Sequence, residues 1–92
     1  MAKSSAKGGK KVKFAIKADP NSEVYVAGSF NDWDPKKHRL TCADGVFSAL
    51  ILVSPGRHEY KFVINEVWCV DPECADWAPN GLGSLNSVIV VE

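Results

Sequence analysis

Val12, Phe14 and Ile16 alternate with Lys13, Ala15 and Lys17, and the segment Arg57 to Ile64 repeats the pattern later in the chain. There His58, Tyr60, Phe62 and Ile64 fall on one side and Arg57, Glu59, Lys61 and Val63 on the other. A period of two is the signature of a strand with one buried face, because successive side chains leave a strand in opposite directions. Lys61 therefore points away from Tyr60 and Phe62. The rest of the chain reads the same way. Val24-Tyr25-Val26-Ala27, after the turn residues Asp19-Pro20-Asn21-Ser22, is β-branched and aromatic enough for a strand that Gly28 ends. Val46 to Val53 is an apolar run with Ser48 as its single polar residue, which predicts a strand buried on most of both faces. After Ser54-Pro55-Gly56 and the Arg57–Ile64 strand, Asn65-Glu66 makes a two-residue hairpin turn into Val67-Trp68-Cys69-Val70, although Glu replaces the glycine such turns favour. Ser87 to Glu92 closes the chain as a terminal strand.

Two segments lack the pattern. Residues 29–44 are polar, broken by Pro35 and closed by the turn Ala43-Asp44-Gly45, so they predict a loop carrying one aromatic motif. Residues 71–85 hold Pro72, Pro79, Asn80, Gly81 and Gly83, a density of breakers that predicts a long ordered loop, and such loops in small domains are usually functional. Short strands, turns between them and no helical periodicity amount to an all-β sandwich.

Ninety-two residues accommodate one domain. Its expected organisation is a flexible basic leader over residues 1–11 and a β-sandwich over residues 12–92. Five of the eleven basic residues, Lys3, Lys7, Lys10, Lys11 and Lys13, lie in the first thirteen positions, which leaves six bases against eleven acids from Phe14 onward. A body of that sign repels phosphate backbones, so no nucleic acid partner is expected. No apolar run approaches the roughly 18 residues of a membrane helix, and the N-terminus lacks the apolar stretch of a secretory signal, so a cytoplasmic protein with no membrane partner is expected. In that compartment Cys42, Cys69 and Cys74 read as reduced thiols and as small buried or half-buried hydrophobes rather than a disulfide framework. With His38 and His58 as the only histidines, no spacing announces a zinc site, and neither a metal nor a cofactor is expected. Catalysis fails on inventory. The carboxylates Asp32, Asp34, Asp71, Glu73 and Asp76 lie in surface loops of a chain too small to surround a sugar, and no nucleophile or phosphate-binding motif is present.

The segment Gly28-Ser29-Phe30-Asn31-Asp32-Trp33-Asp34-Pro35 opens an ordered set of motifs. Pro55-Gly56 follows before His58-Glu59-Tyr60-Lys61-Phe62, then Trp68 with Asp71-Pro72, and finally Leu82-Gly83-Ser84-Leu85-Asn86-Ser87-Val88. In this order the chain resembles the family 48 carbohydrate-binding modules, which include the glycogen-binding module of AMP-activated kinase β subunits and the N-terminal module of isoamylases and branching enzymes. The resemblance covers roughly residues 12 to 92. It implies an immunoglobulin-like β-sandwich of six to eight short antiparallel strands that binds α-1,4-glucan, as polysaccharide or maltooligosaccharide, without catalysis.

The same resemblance implies roles for particular residues. Trp33 and Trp68 match the two tryptophans that stack on glucose rings, and Lys61 matches the lysine of the Tyr-Lys-Phe strand. Leu82, Ser84 and Asn86 match the final loop, where a leucine lies against the curved glucan, a hydroxyl supports it and an asparagine binds sugar hydroxyls. Physical chemistry supports such a set independently: a glucose ring has C–H groups on its faces, which suit indoles, and hydroxyls around its rim, which suit ammonium and amide groups. Core burial is the competing reading for any tryptophan, and it weakens for Trp33, which sits in a polar loop between Asp32 and Asp34. Lys61 by itself reads equally as a solvated charge and Leu82 as a satellite core residue, while for Asn86 a turn role competes with sugar contact, the favoured reading.

Departures from the family pattern are the Asn65-Glu66 turn, where Asp-Gly is usual, and a third tryptophan, Trp77, where the kinase modules have a smaller residue. Trp77 either extends the stacking platform or packs over the loop. A second function remains open, in which the sandwich docks on a glycogen-metabolising enzyme or kinase without binding sugar. One weak site also suits either a monomer or a weak homodimer.

Overall fold

The computed structural model describes residues 9–74, 76–81 and 83–92, and it is all-β over them. Nine strands occur in the order β1 Lys10–Lys17, β2 Val24–Gly28, β3 His38–Arg39, β4 Thr41–Ala43, β5 Val46–Val53, β6 Gly56–Ile64, β7 Val67–Cys69, β8 Trp77–Pro79 and β9 Leu85–Val91. Their number exceeds the expected six to eight because β3, β4 and β8 are two- or three-residue pieces inside the segments expected to be loops. Pairing with a neighbour, rather than their own composition, makes them strands. β1 begins at Lys10, so Lys10 and Lys11 belong to a strand, opposite Val53 and Leu52, rather than to the leader. Residues 1–8 lie outside the described residues.

Two antiparallel sheets form the sandwich. One has the order β1-β5-β4; the other runs β3-β2-β6-β9-β8, with β7 also paired to β6. Their inner faces meet in a core of Phe14, Ile16, Phe47, Ile51 and Val53 from the first sheet and Val24, Val26, Tyr60, Phe62 and Val91 from the second. Tyr60 and Phe62 are buried, as the alternation of β6 required. The aromatic centre is tightly arranged: the Phe14 ring lies 5.2 Å from Phe30 and 5.0 Å from Tyr60, in stacked and edge-on geometry.

Strand β5 departs from expectation. Its apolar run predicted burial on both faces, yet Leu50 is 66% and Leu52 61% exposed. Among the described residues no third layer covers the outer face of the β1-β5-β4 sheet, so period-two geometry turns every second residue to solvent whatever its polarity. Cys42 also differs, since it is exposed on β4, while Cys69 and Cys74 are half-buried.

The Asn65-Glu66 turn forms as anticipated. Ile64 pairs with Val67 across two residues with φ of 50° and 70°, the doubly left-handed backbone of a type I′ hairpin. Asn65 tolerates this conformation and fastens the turn to β2, its Oδ1 accepting the Glu23 N–H at 2.9 Å. Glu66 has no such compensation. Replacing Glu66 with glycine should therefore stabilise the domain by about 0.5–1 kcal/mol, the relief of left-handed strain exceeding the added unfolded-state entropy. A denaturant midpoint measures it, and a midpoint that falls would show the side chain contributing more than the strain costs.

Candidate functional site

The site grows from the register of β6. β2 pairs with β6 through Tyr60–Ile64 along one edge, while β9 and β7 lie end to end along the other, opposite Gly56–Tyr60 and Phe62–Ile64. Arg57, Glu59, Lys61 and Val63 face outward from this central strand, as alternation requires. Trp68 pairs with Val63 and so stands beside Lys61 on the outer face. Asn86, adjacent to the Tyr60–Ser87 pair, occupies the same face from β9.

Trp33 arrives from the opposite edge, on the loop after β2. Gly28 is irreplaceable there, because a Cβ would meet the Glu59 carbonyl oxygen at 2.6 Å and the Tyr60 Cβ at 2.8 Å. The Gly28 carbonyl then accepts the N–H groups of both Asn31 and Trp33. Asn31, 4% exposed, completes the loop: its Oδ1 accepts the Gly28 N–H, and its Nδ2 donates to the Val26 carbonyl and lies 2.9 Å from His38 Nδ1. These bonds hold Asp32 and Trp33 at φ of 58° and 57°, a left-handed pair that few side chains adopt without such restraint.

A groove of about 680 Å³ results, lined by Ser29, Trp33, Arg57, Glu59, Lys61, Trp68, Pro79, Asn80 and Asn86. Lys61, only 8% exposed, forms part of its floor and donates from Nζ to Ser84 Oγ at 2.8 Å. Ser84 is tied to Asn80, whose N–H donates to the Ser84 carbonyl and whose Oδ1 accepts the Ser84 N–H. Glu59 accepts from Asn86 Nδ2 on Oε1 at 2.9 Å and from Arg57 Nη1 on Oε2 at 2.8 Å. The Asn86 amide first, and then the Arg57 guanidinium, hold the Glu59 carboxyl below the usual carboxylate range, so it is ionised at neutral pH.

Of the seven residues singled out in the sequence, Trp33, Lys61, Trp68 and Asn86 line one groove, and Ser84 touches it through Lys61. Leu82 lies outside the described residues. Trp77 does not line the groove. It pairs with Ser87, whose fully buried hydroxyl accepts the Asp71 N–H, so Trp77 stands on the sheet face opposite to Asn86 and is 41% exposed. Arg57, Glu59, Ser29, Pro79 and Asn80 were not anticipated. Alternation of β6 already placed Arg57 and Glu59 on the side of Lys61, and that signal could have found them.

Below the groove, Tyr60 anchors the loop before β8. Its hydroxyl donates to Asp71 Oδ2 at 2.7 Å, and burial first, then the Asp71 carboxylate, push the phenol far above its ordinary range. The phenol is a structural donor.

Two indoles with an ammonium, an amide and a carboxylate between them form a shallow surface suited to a ring with apolar faces and hydroxylated edges. A family model described as the glycogen recognition site of AMP-activated protein kinase matches residues 7–92. The chain belongs to this family. Among similar proteins, the 5'-AMP-activated protein kinase subunit beta-1 of Sus scrofa is 37% identical over 70 residues, covering 76% of this chain and 55% of that protein. Protein PTST homolog 2, chloroplastic, of Arabidopsis thaliana is 40% identical over 55 residues, 58% of this chain and 10% of that protein. Protein FLOURY ENDOSPERM 6, chloroplastic, of Oryza sativa subsp. japonica is 36% identical over 59 residues, 64% of this chain and 11% of that protein. This glycogen-recognition module thus spans from about a tenth to about half of these relatives. Among its described residues no helix is long and apolar enough to cross a membrane.

Proposed function

We propose that this glycogen-recognition module binds α-1,4-glucan in the groove between Trp33 and Trp68 and has no catalytic activity of its own. The observation that carries the reading is the convergence of Trp33, Trp68, Lys61 and Asn86, from the β2–β3 loop, β7, β6 and β9, on one groove. The indoles take the apolar faces of successive glucose units, Lys61 donates to their hydroxyls, and Asn86 offers an amide edge. Leu82 and Ser84 support the glucan from the final loop. Trp77, on the other face, is left out of the stacking platform.

A shallow site with two stacking residues and a few hydrogen bonds gives about −4 to −7 kcal/mol, a millimolar to micromolar affinity. Titration with a cyclic maltooligosaccharide, followed by tryptophan fluorescence, should show saturable binding in that range. An unchanged signal at several millimolar sugar would sink the proposal.

A protein partner is the second element of this reading. That relatives include kinase subunits supports a role in bringing a kinase or a glycogen-metabolising enzyme to glucan. One weak site gives short residence on a polymer, and a second contact, through such a partner or a homodimer, would raise it by effective concentration.

A further inference from the structure

The Arg57–Glu59–Asn86 chain along the groove decides which way the Asn86 amide faces. An asparagine amide has a donor arm and an acceptor arm, and either can be turned toward a neighbour. An ionised carboxylate only accepts. With Glu59 Oε1 at 2.9 Å, the Nδ2 arm must therefore be the one beside it, since the reversed amide would set two acceptors against each other. Arg57 occupies the other carboxylate oxygen, at 2.8 Å, which keeps Oε1 aimed at Asn86. Asn86 itself is only 8% exposed, so little rotation is open to it without losing this bond.

We infer that Glu59 is a positioning residue for glucan recognition: it commits the donor arm of Asn86 to itself and thereby presents the Oδ1 acceptor to the sugar. The inference rests on the glucan-binding reading of the groove. Its consequence is a division of labour along the polar rail. Lys61 supplies donors to sugar oxygens, whereas Asn86 accepts from a sugar hydroxyl that must carry its proton. A neutral, mobile amide in the same place would tolerate either polarity, and selectivity among hydroxyl patterns would fall.

A double-mutant cycle tests this, read as affinity for a cyclic maltooligosaccharide by calorimetry. Glu59→Ala should weaken binding about 5-fold, the value of one oriented hydrogen bond. In an Asn86→Ala background the same substitution should change nothing. Glu59→Gln, which keeps an acceptor for Nδ2, should restore affinity to within about 2-fold of the parent. The side-chain amide resonances of Asn86 give a reading that needs no sugar: they should shift and broaden in Glu59→Ala and stay close to the parent in Glu59→Gln. An equal loss from Glu59→Ala in both backgrounds would overturn the inference in favour of direct sugar contact by Glu59. Unchanged binding in Glu59→Ala, or unmoved Asn86 resonances, would overturn it too. A parent chain that binds no sugar would instead overturn the reading of the groove on which it rests.

Discussion

Replacing Trp68 with alanine should weaken binding of a cyclic maltooligosaccharide by about 30-fold or more, the scale of a stacking residue worth about 2 kcal/mol, while costing about 1 kcal/mol of stability. The asymmetry follows from position. Trp68 is 43% exposed on a three-residue strand and has Val63 as its cross-strand neighbour, so its truncation opens no cavity between the sheets. A tryptophan packed in the core would instead cost about 3–5 kcal/mol on truncation. Trp33→Ala should behave likewise for binding, with a somewhat larger stability cost because Trp33 itself is half-buried. Thermal unfolding beside a binding titration separates the two quantities. A large fall in melting temperature for Trp68→Ala with affinity retained would return Trp68 to a structural role.

Gly28→Ala should lower stability by about 3 kcal/mol, the upper range for forcing a methyl group into a closed space, and the melting temperature by on the order of 10–20 °C. Two of the three atoms that the new methyl would strike, the Glu59 carbonyl oxygen and Tyr60 Cβ, belong to β6 or sit directly on it and cannot swing aside. The third is the ring edge of Phe30, itself stacked on Phe14. Relief requires separating β2 from β6 at the point where the Trp33 loop begins, so the bonds from Asn31 and Trp33 to the Gly28 carbonyl are lost as well. Glucan affinity should fall with stability even at temperatures where the domain remains folded. A variant that keeps both would show that the strands part more readily than their packing implies.

The parts of the fold legible in the sequence are those where local chemistry and tertiary environment agree. Tyr60 and Phe62 alternate with Lys61 and Val63, and the sheet buries the first pair in the core between the sheets and turns the second to its other face, where Lys61 reaches the groove. Leu50 and Leu52 defeat the same logic, because an apolar residue on an outer face is locally identical to one in a core, and only the missing third layer distinguishes them. Trp77 has two readings in the sequence for a related reason. Its side of the sheet depends on the pairing with Ser87 ten residues later, and a segment dense in breakers gives no alternation from which to extrapolate. Asn31 is the clearest omission in the site. Inside the Gly-Ser-Phe-Asn-Asp-Trp motif it looks like a polar loop residue, yet its three contacts, to Gly28, Val26 and His38, are what fix the backbone that carries Trp33. Sequence separation hid the Glu59–Asn86 bond too, since the two residues meet only once β6 and β9 are paired.

The three tryptophans divide by face, and their indole N–H resonances can be followed separately during a titration with a linear or cyclic α-1,4-maltooligosaccharide. Two indoles line the groove, and the third stands on the opposite side of the sheet. The expected result is saturable movement of the Trp33 and Trp68 signals with one common dissociation constant, accompanied by Lys61 and Asn86, while Trp77 stays in place. Movement of Trp77 with Trp33 and Trp68 unmoved, or no movement of any indole at several millimolar sugar, would contradict the assignment of this groove as the glucan site.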